Sequence, residues 1–413
     1  MTFLGEKFIY FFVLGHNPAL SAEEVFSYFL SENLSFEVLA ISPEILLLEL
    51  SKEIKSDFVL SQLGGTIKIG RIFYFSKNKK DFSPSLLAGL LKIKSSKVVF
   101  GISVYKTEKE AIAYSKKLVK DIAMQLKKFL KKENRLVRWV SSSRNPLSSV
   151  IVKKNHLLEK GGEIILLSGK NGDYLGKTLS LQEFADYSFR DYHRPFRDIS
   201  LGMIPPKLAK MMINFSQLKK DEIILDPFCG SGTILQEAIL MGFNHLIGAD
   251  KDNFALKRTA ENLEWLFQNY SLKKRKIKLI NSPVEELSLR IKNNFLNAVV
   301  TEPYLGPTKI KEGVIQKIVK ELSLMYLKAF AEFYKILKKE GKVIIIFPIF
   351  SFKNKKVFLP IMEQIEKIGF RQERPLVLKY KEIFKDDISP RKTLIYHRPN
   401  QHVLREIIFW TKF

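Results

Sequence analysis

Glu222-Ile-Ile-Leu-Asp226-Pro-Phe-Cys-Gly-Ser-Gly-Thr233 is the stretch from which the rest of the chain can be read outward. Three apolar residues ending in a carboxylate predict a short buried strand at 222–226. Residues 227–232 read as a tight turn, and 233–241 carry a helical pattern. Gly230 and Gly232 let the backbone approach a ligand closely. A strand, a glycine-bearing turn and a helix N-terminus make a ligand cradle in a doubly wound α/β sheet. The spacing is not the Gly-x-Gly-x-x-Gly of dinucleotide enzymes, and no Gly-Lys-Ser/Thr follows to make a P-loop. Asp226 stands where it can accept a hydrogen bond from a ligand ammonium or an ordered water.

The residues that follow extend the cradle. A second strand is predicted at 246–249, with Asp250 at its end, where an acidic residue binds the two hydroxyls of a ribose. Lys251 lies beside it, and Asp252 is expected to cap a helix over 254–267. A third strand, 277–280, leads into Asn281-Ser282, which sit where an adenine amino group could be read. A fourth, 297–301, ends in Glu302-Pro303-Tyr304-Leu305-Gly306-Pro307. Apolar runs alternating with helical patterns after residue 200 predict a parallel sheet covered on both faces.

Composition points to a polyanion. The chain holds 68 Lys+Arg against 43 Asp+Glu, a net charge of +25, which favours phosphate contacts and counterion release. The plainer reading is a lysine bias unrelated to binding. Cys229 is the only cysteine, which excludes an intrachain disulfide and a cysteine-built zinc site; no metal is expected. As the loop's small residue it has no paired histidine that would make it a nucleophile. No apolar run reaches the roughly 18 residues a membrane span needs. Phe8–Leu14 is short for a signal peptide and runs into His16-Asn17-Pro18, so a cytoplasmic location is expected.

In the first half, Phe8–Leu14 reads as a strand, and Ser21 with Glu24 as a capping box that starts a helix. A strand is predicted at 46–50, a break at Gly64-Gly65, and another strand at 67–75. A helix over 108–132 buries one face through Ile112, Leu118, Val119, Ile122, Leu126, Phe129 and Leu130. Lys116, Lys120 and Lys127, with Lys109 and other lysines, occupy the remainder. A solvated face is the ordinary reading of such a charge run. The next stretch adds Arg138, Arg144, Lys153 and Lys154 around Trp139 and Ser141-Ser142-Ser143, a mixture suited to sugar-phosphate recognition. Turn residues crowd 161–200, where a linker is expected at 171–200. Arg190, Arg194 and Arg197 lie within it, either as a clamp on RNA phosphates or as linker ion pairs.

Asp226 to Thr233 resembles the first motif of amino-group methyltransferases, in which Asp/Asn-Pro-Pro-Tyr closes the fourth strand. Gly64-Gly65-Thr66-Ile67-Lys68, Leu175-Gly176-Lys177-Thr178, Tyr187-Ser188-Phe189-Arg190-Asp191 and Gly202-Met203-Ile204-Pro205-Pro206-Lys207-Leu208-Ala209 resemble passages of the THUMP-containing tRNA guanine-N2 methyltransferases of archaea and eukaryotes. The resemblance runs across most of the chain. It implies an α/β fold: a Rossmann-like class I methyltransferase domain with a mostly parallel seven-stranded sheet and helices on both faces, preceded by a ferredoxin-like plus THUMP α+β region. The implied layout is a ferredoxin-like segment at 1–55, a THUMP-like tRNA-binding domain at 56–170, the linker at 171–200 and the methyltransferase domain at 201–413.

The implied cofactor is S-adenosylmethionine, held by Asp226, Phe228, Gly230, Gly232, Thr233, Asp250, Lys251, Asn281 and Ser282, with Met203 lining the pocket. The implied reaction is methylation of the exocyclic N2 amine of a guanosine in tRNA, position 10, after base flipping and by in-line transfer. The expected partner is tRNA, bound by a monomer, with any activator subunit left open. In the family motif the Asp/Asn side chain and a proline carbonyl accept hydrogen bonds from the amine, and the aromatic ring stacks on the base.

Here the segment departs from that pattern. With Glu302 in the acidic position, Tyr304 replaces the second proline; with Thr301 there, Pro303-Tyr304 match the motif's end and Glu302 replaces a proline. The first alignment keeps the carboxylate and is preferred, giving Glu302 as acceptor, Pro303 beside it and Tyr304 as the stacking ring. Glu302 as a mere turn cap is the alternative. Two other functions compete: an amino-group methyltransferase acting on rRNA or DNA adenine, and a tRNA-binding protein whose catalytic motif has decayed.

Overall fold

Among the described residues the strands form two nine-stranded sheets. The computed structural model describes all residues except 78–81, 93–96, 109–110, 112–113, 198–202, 274, 276, 308–311, 353–354 and 399–400. The chain forms two compact units: Met1–Pro18, Asn33–Gln62 and Thr66–Glu183 make the first, and Ala19–Glu32, Leu63–Gly65 and Phe184–Phe413 the second.

The first unit's strands are β1 (Thr2–Phe3), β2 (Phe8–Leu14), β3 (Phe36–Ile41), β4 (Ile45–Leu50), β5 (Thr66–Ser76), β6 (Lys97–Lys106), β7 (Leu136–Val140), β8 (Gly161–Ser168) and β9 (Asp173–Leu181). They lie in the order β3-β4-β2-β5-β9-β8-β6-β7, with β1 on β5. Strands from the expected 1–55 and 56–170 segments therefore share one sheet, β2 pairing directly with β5. The expected linker at 171–200 is corrected: it holds β9, paired with β5 and β8, and the helix Phe184–Tyr192. Its glycines mark the turn between β8 and β9 and a close approach of strands, not a loose connection.

The basic helix runs Lys116–Lys132, where the sequence predicts 108–132. Ser115 stops it short: its hydroxyl accepts the Leu118 N–H at 3.1 Å, an N-cap that satisfies one of the helix's free donors. Ile112 and Lys109 lie outside the described residues. Val119, Ala123, Leu126 and Leu130 bury one stripe against the sheet's apolar cluster, leaving the lysines outward.

A buried polar network holds the middle of this sheet and accounts for two of the signatures upstream of the cofactor loop. Lys68 Nζ donates to Glu163 Oε1 and to the Leu147 carbonyl, both at 2.7 Å. Ser103 and Thr178 hydroxyls donate to the same carboxylate at 2.6 Å each. The Lys68 and Glu163 side chains are 2% and 0% exposed, so each charge depends on the other and on these hydrogen bonds.

The second unit's strands are β10 (Ile223–Asp226), β11 (His245–Asp250), β12 (Lys278–Asn281), β13 (Leu296–Thr301), β14 (Leu337–Phe352), β15 (Lys355–Phe358), β16 (Phe370–Glu373), β17 (Leu394–Tyr396) and β18 (Val403–Lys412). The main path is β12-β11-β10-β13-β14-β18-β16, seven strands, with β15 added on β14 and β17 on β18. Pairing is parallel from β12 to β14 and antiparallel from β14 through β18 to β16. This is the mostly parallel sheet the sequence predicts. Ala298, Val299 and Val300 are wholly buried, as a parallel strand covered on both faces requires. Phe330, from the helix Ile315–Ile336, meets Phe347, Phe370 and Trp410 edge-on and locks that helix onto the sheet.

The capping-box reading of Ser21 and Glu24 is also corrected. The helix Pro18–Ser31 starts three residues earlier, with proline at its first position. Glu24 instead accepts the Gly64 and Gly65 N–H groups at 2.7 Å each and the Asn214 amide at 2.8 Å. A Cβ on Gly64 would stand 2.2 Å from the Lys207 carbonyl oxygen, so only glycine fits. Among the described residues no helix is long and apolar enough to cross a membrane.

Candidate active site

β10 lies between parallel neighbours β11 and β13, the point at which chain order reverses and a cleft opens beyond the strand ends. A cleft of about 900 Å³ occupies that position. Asp226, Phe228, Gly230, Thr233, Asp250, Lys251, Met203, Glu302, Pro303 and Tyr304 all line it.

The loop after β10 is fixed by its own hydrogen bonds. Cys229 N–H donates to the Ala249 carbonyl and Gly232 N–H to the Cys229 carbonyl. Thr259 Oγ1 donates to the Gly230 carbonyl at 2.7 Å, and Asn262 to the Ser231 carbonyl at 2.9 Å. Gly230 and Gly232 take φ of 51° and 80°, the left-handed region that only glycine enters freely. Gly232 does not line the cleft; it turns the chain into the helix Thr233–Leu240. Cys229 is 5% exposed and burial pushes its thiol well up, so it fills space and is not a nucleophile.

Of the five carboxyl groups that line the cleft, Asp226, Asp250, Asp252 and Glu302 each have a definite hydrogen-bond partner. Asp250 receives the Gly230 and Asp252 N–H groups on separate oxygens, at 3.0 Å each. Asp252 caps the helix Asn253–Asn269 through the Phe254 N–H, as the sequence suggests. Asp226 is 2% exposed and accepts from Thr301 Oγ1 at 2.7 Å. Burial lifts its pKa to about 7; the Thr301 and Phe228 donors pull the other way, and the charges of Asp250 and Glu302 add to the rise.

Glu302 follows β13 and lines the cleft, whereas Thr301 is wholly buried and turned to Asp226. The geometry thus favours the alignment that puts Glu302 in the acidic position. Its Oε1 accepts Arg405 Nε at 2.5 Å, with the two side chains 9% and 8% exposed. Burial pushes the Glu302 carboxyl up, and the Arg405 guanidinium opposes it. Tyr304 is 53% exposed on the cleft wall, where a ring can face an incoming base.

Other expected residues fall elsewhere. Asn281 and Ser282 do not line the cleft: the Asn281 amide donates to the Asp250 and Lys251 carbonyls, and Ser282 turns its hydroxyl to the Pro283 carbonyl. Their neighbours Pro283, Val284 and Glu285 form that wall instead. Arg190 and Arg194 are 3% and 4% exposed, too buried to clamp phosphates. Arg190 joins Glu237 and Asp186 and stacks on Tyr187. Half-buried Arg197 stacks on Tyr192, its guanidinium 4.6 Å from the ring centre. Lys116, Lys120, Arg138, Arg144, Lys153 and Lys154 are exposed in the first unit and Lys127 is partly so. Of these, Lys153 pairs with Glu183 and Arg138 with Asn155.

Arg405, Arg258, His402 and Met325 line the cleft without having been expected there. For Arg405 a signal was present: Arg405-Glu406 interrupts the apolar run from Val403 to Trp410, and charges inside such a run need partners.

The residues fit S-adenosylmethionine. The cleft has the volume of a cofactor site, Asp226 offers an acceptor for an ammonium, and the open space beside Gly230, with only the Phe228 carbonyl at 4.0 Å from a Cβ there, admits a ligand against the backbone. Strand order, loop and cleft together define a Rossmann-like methyltransferase. Residues 194–349 match the family described as RMKL-like, methyltransferase domain, and residues 69–262 match one described as DNA methylase. The fold is similar to that of TrmN from Thermus thermophilus, at a TM-score of 0.54 over 98% of this chain and 100% of that one, with 12% identity.

A probable tRNA (guanine(10)-N2)-dimethyltransferase of Methanothermococcus thermolithotrophicus is 30% identical over 167 residues, 39% of this chain and 88% of that protein. The chain belongs to the tRNA (guanine(10)-N2)-dimethyltransferase family. Members from Methanocaldococcus jannaschii and Methanothermobacter thermautotrophicus are 39% and 41% identical over 129 and 117 residues, 29% and 28% of this chain. The match spans about a third of their length, 34% and 31%.

Proposed function

We propose that the chain transfers a methyl group from S-adenosylmethionine to the exocyclic N2 amine of a guanosine in tRNA, at position 10 as in the relatives' names. The observation that carries this is the Glu302 carboxylate, oriented by Arg405 at the end of β13 and facing the same cleft as Asp226, Asp250 and Tyr304. S-adenosylmethionine supplies an electrophilic methyl on a sulfonium. Asp226 receives the ligand's ammonium, and Asp250, whose oxygens already order Gly230 and Asp252, receives the ribose hydroxyls.

A guanine N2 amine is a weak nucleophile because its lone pair is delocalised into the ring. Glu302 accepts a hydrogen bond from that amine, aligns it, and stabilises the positive charge that grows on nitrogen as the new bond forms. Tyr304 stacks on the flipped base and keeps it in the cleft. Pro303, buried beside Glu302, stiffens the segment that presents both side chains.

The first unit serves as a THUMP-like tRNA grip, its exposed lysines and arginines supplying the phosphate contacts. The DNA methylase similarity, residues 69–262, stops before Glu302 and so does not bear on which amine is accepted. Incubation with labelled donor and unmodified tRNA, followed by digestion to nucleosides, tests the reading. Label in N2-methylguanosine supports it. Label confined to adenosine rejects it, as does tight tRNA binding with no transfer.

A further inference from the structure

β14 outruns its parallel neighbour. β13 ends at Thr301, opposite Ile345, whereas β14 continues to Phe352 with β15 on one side and β18 on the other. β17 pairs with the far edge of β18. These four strands make an antiparallel ribbon at the end of the sheet where the cleft opens, and Val403, the first residue of β18, lines that cleft.

Register decides which side chains look onto it. Residues directly opposite across strands share a face, and successive residues alternate. Arg405, which holds Glu302, lies opposite Pro348 on β14 and Tyr396 on β17. Two residues back, Val403 lies opposite Phe350, itself opposite Val357. A Cβ on Gly306 would stand 3.4 Å from the Phe350 ring, so this face meets the loop that follows Glu302. Phe352 and Lys355 are the next pair on the same face. Lys356, opposite Ser351, belongs to the other face. Arg398 is tied to the cleft side: its Nε donates to the Tyr396 hydroxyl at 2.7 Å, and its guanidinium is 5.6 Å from that ring's centre.

Lys355 and Arg398 are both exposed, one beside each edge of the ribbon. Among residues 346–352, 355–361, 394–398 and 401–407 the sole carboxylate is Glu406, wholly buried and bonded to Thr393. The ribbon therefore presents positive charge to solvent and no negative charge, which suits a polyanion. A base that enters the cleft is joined through one sugar to its two phosphates, so these must stay at the mouth.

We propose that Lys355 and Arg398 hold the backbone phosphates flanking the flipped guanosine, so that the second unit grips its RNA at the target nucleotide itself. The site rests on the tRNA reading above and adds to it. One strand register then sets both this grip and the Arg405 that orients Glu302.

Steady-state methylation of tRNA tests this by comparing Lys355→Glu with Lys356→Glu, adjacent residues with the same change of charge on opposite faces. Lys355→Glu and Arg398→Met should each lower kcat/KM for tRNA on the order of tenfold, while Lys356→Glu stays within about twofold. Affinity for S-adenosylhomocysteine should stay within about twofold in all three, which also checks folding. Equal losses at Lys355 and Lys356 would ascribe the effect to overall charge and overturn the site, as would an unchanged kcat/KM in Lys355→Glu or Arg398→Met. A wild-type protein that methylates no tRNA overturns the tRNA reading itself, and the site with it.

Discussion

Glu302 and Arg405 are 103 residues apart in sequence, and their side chains meet at 2.5 Å in the cleft wall. The pair solves a problem set by burial, which favours the neutral acid over the carboxylate needed to accept from an amine. Arg405→Met therefore raises the Glu302 pKa further. The rate at neutral pH should drop on the order of tenfold to a hundredfold and recover in part as pH rises, because the acid limb of the profile moves upward. Arg405→Lys should fall between. A pH–rate profile with an unmoved acid limb contradicts the role given to Arg405.

The donor pocket carries a second titration. Burial holds Asp226 at about 7 in the free protein, with Asp250 and Glu302 adding to the rise against donors from Thr301 and Phe228. An ammonium ligand prefers the ionised form, so at acid pH binding must first expel a proton. Affinity for S-adenosylhomocysteine should fall as pH drops below 7, approaching about tenfold per unit. Asp226→Asn should bind more weakly and without that slope. A wild-type affinity that is flat through this window removes Asp226 from the ammonium site.

How much of this was legible in the sequence follows the range of the contacts. The loop from Asp226 to Thr233 and the acid Asp250 were readable because a strand, a turn and a helix start present their groups from one contiguous segment. The alternation of buried strands with amphipathic helices gave the sheet for the same reason. Arg405 was missed because its meaning depends on β18 lying beside β14. Asn281 and Ser282 have the right chemistry at the right strand end, yet backbone carbonyls claim their side chains. Ser21 and Glu24 have capping-box spacing, but Glu24 serves two N–H groups 40 and 41 residues away.

Stability should depend on pH through buried acids away from the cleft. Burial raises Glu23 to about 8, although its carboxylate accepts the Val377 N–H at 2.8 Å. The folded pKa lies above the unfolded one, so the contribution is full below about pH 4, declines as pH rises, and is gone above about pH 8. Glu24, raised to about 7, acts in the same direction. Urea unfolding of wild type and Glu23→Gln, compared from about pH 5 to about pH 8, should differ in slope by up to about 1.4 kcal/mol per pH unit. Parallel slopes contradict the assignment.

The arginines and lysines should separate by experiment as they do by burial. Charge reversal at Lys116, Lys120 and Lys127 should weaken tRNA binding and lower its salt slope by about 0.7 to 0.9 per lost contact, with the melting temperature unchanged. Arg190→Met should instead lower stability, by up to about 3 kcal/mol, because it leaves the buried Glu237 carboxylate with only the more distant Lys210 ammonium. Lysine reversals that leave tRNA affinity intact would sink the nucleic-acid reading of that helix.

Acceptance of the methyl group by one exocyclic amine is tested by removing that amine alone. A tRNA transcript carrying inosine in place of guanosine 10 keeps the ring and backbone but lacks the N2 group. With labelled donor, the unmodified transcript should take up methyl at that position and the inosine transcript none. Undiminished transfer to the inosine transcript would show that the N2 amine is not the acceptor.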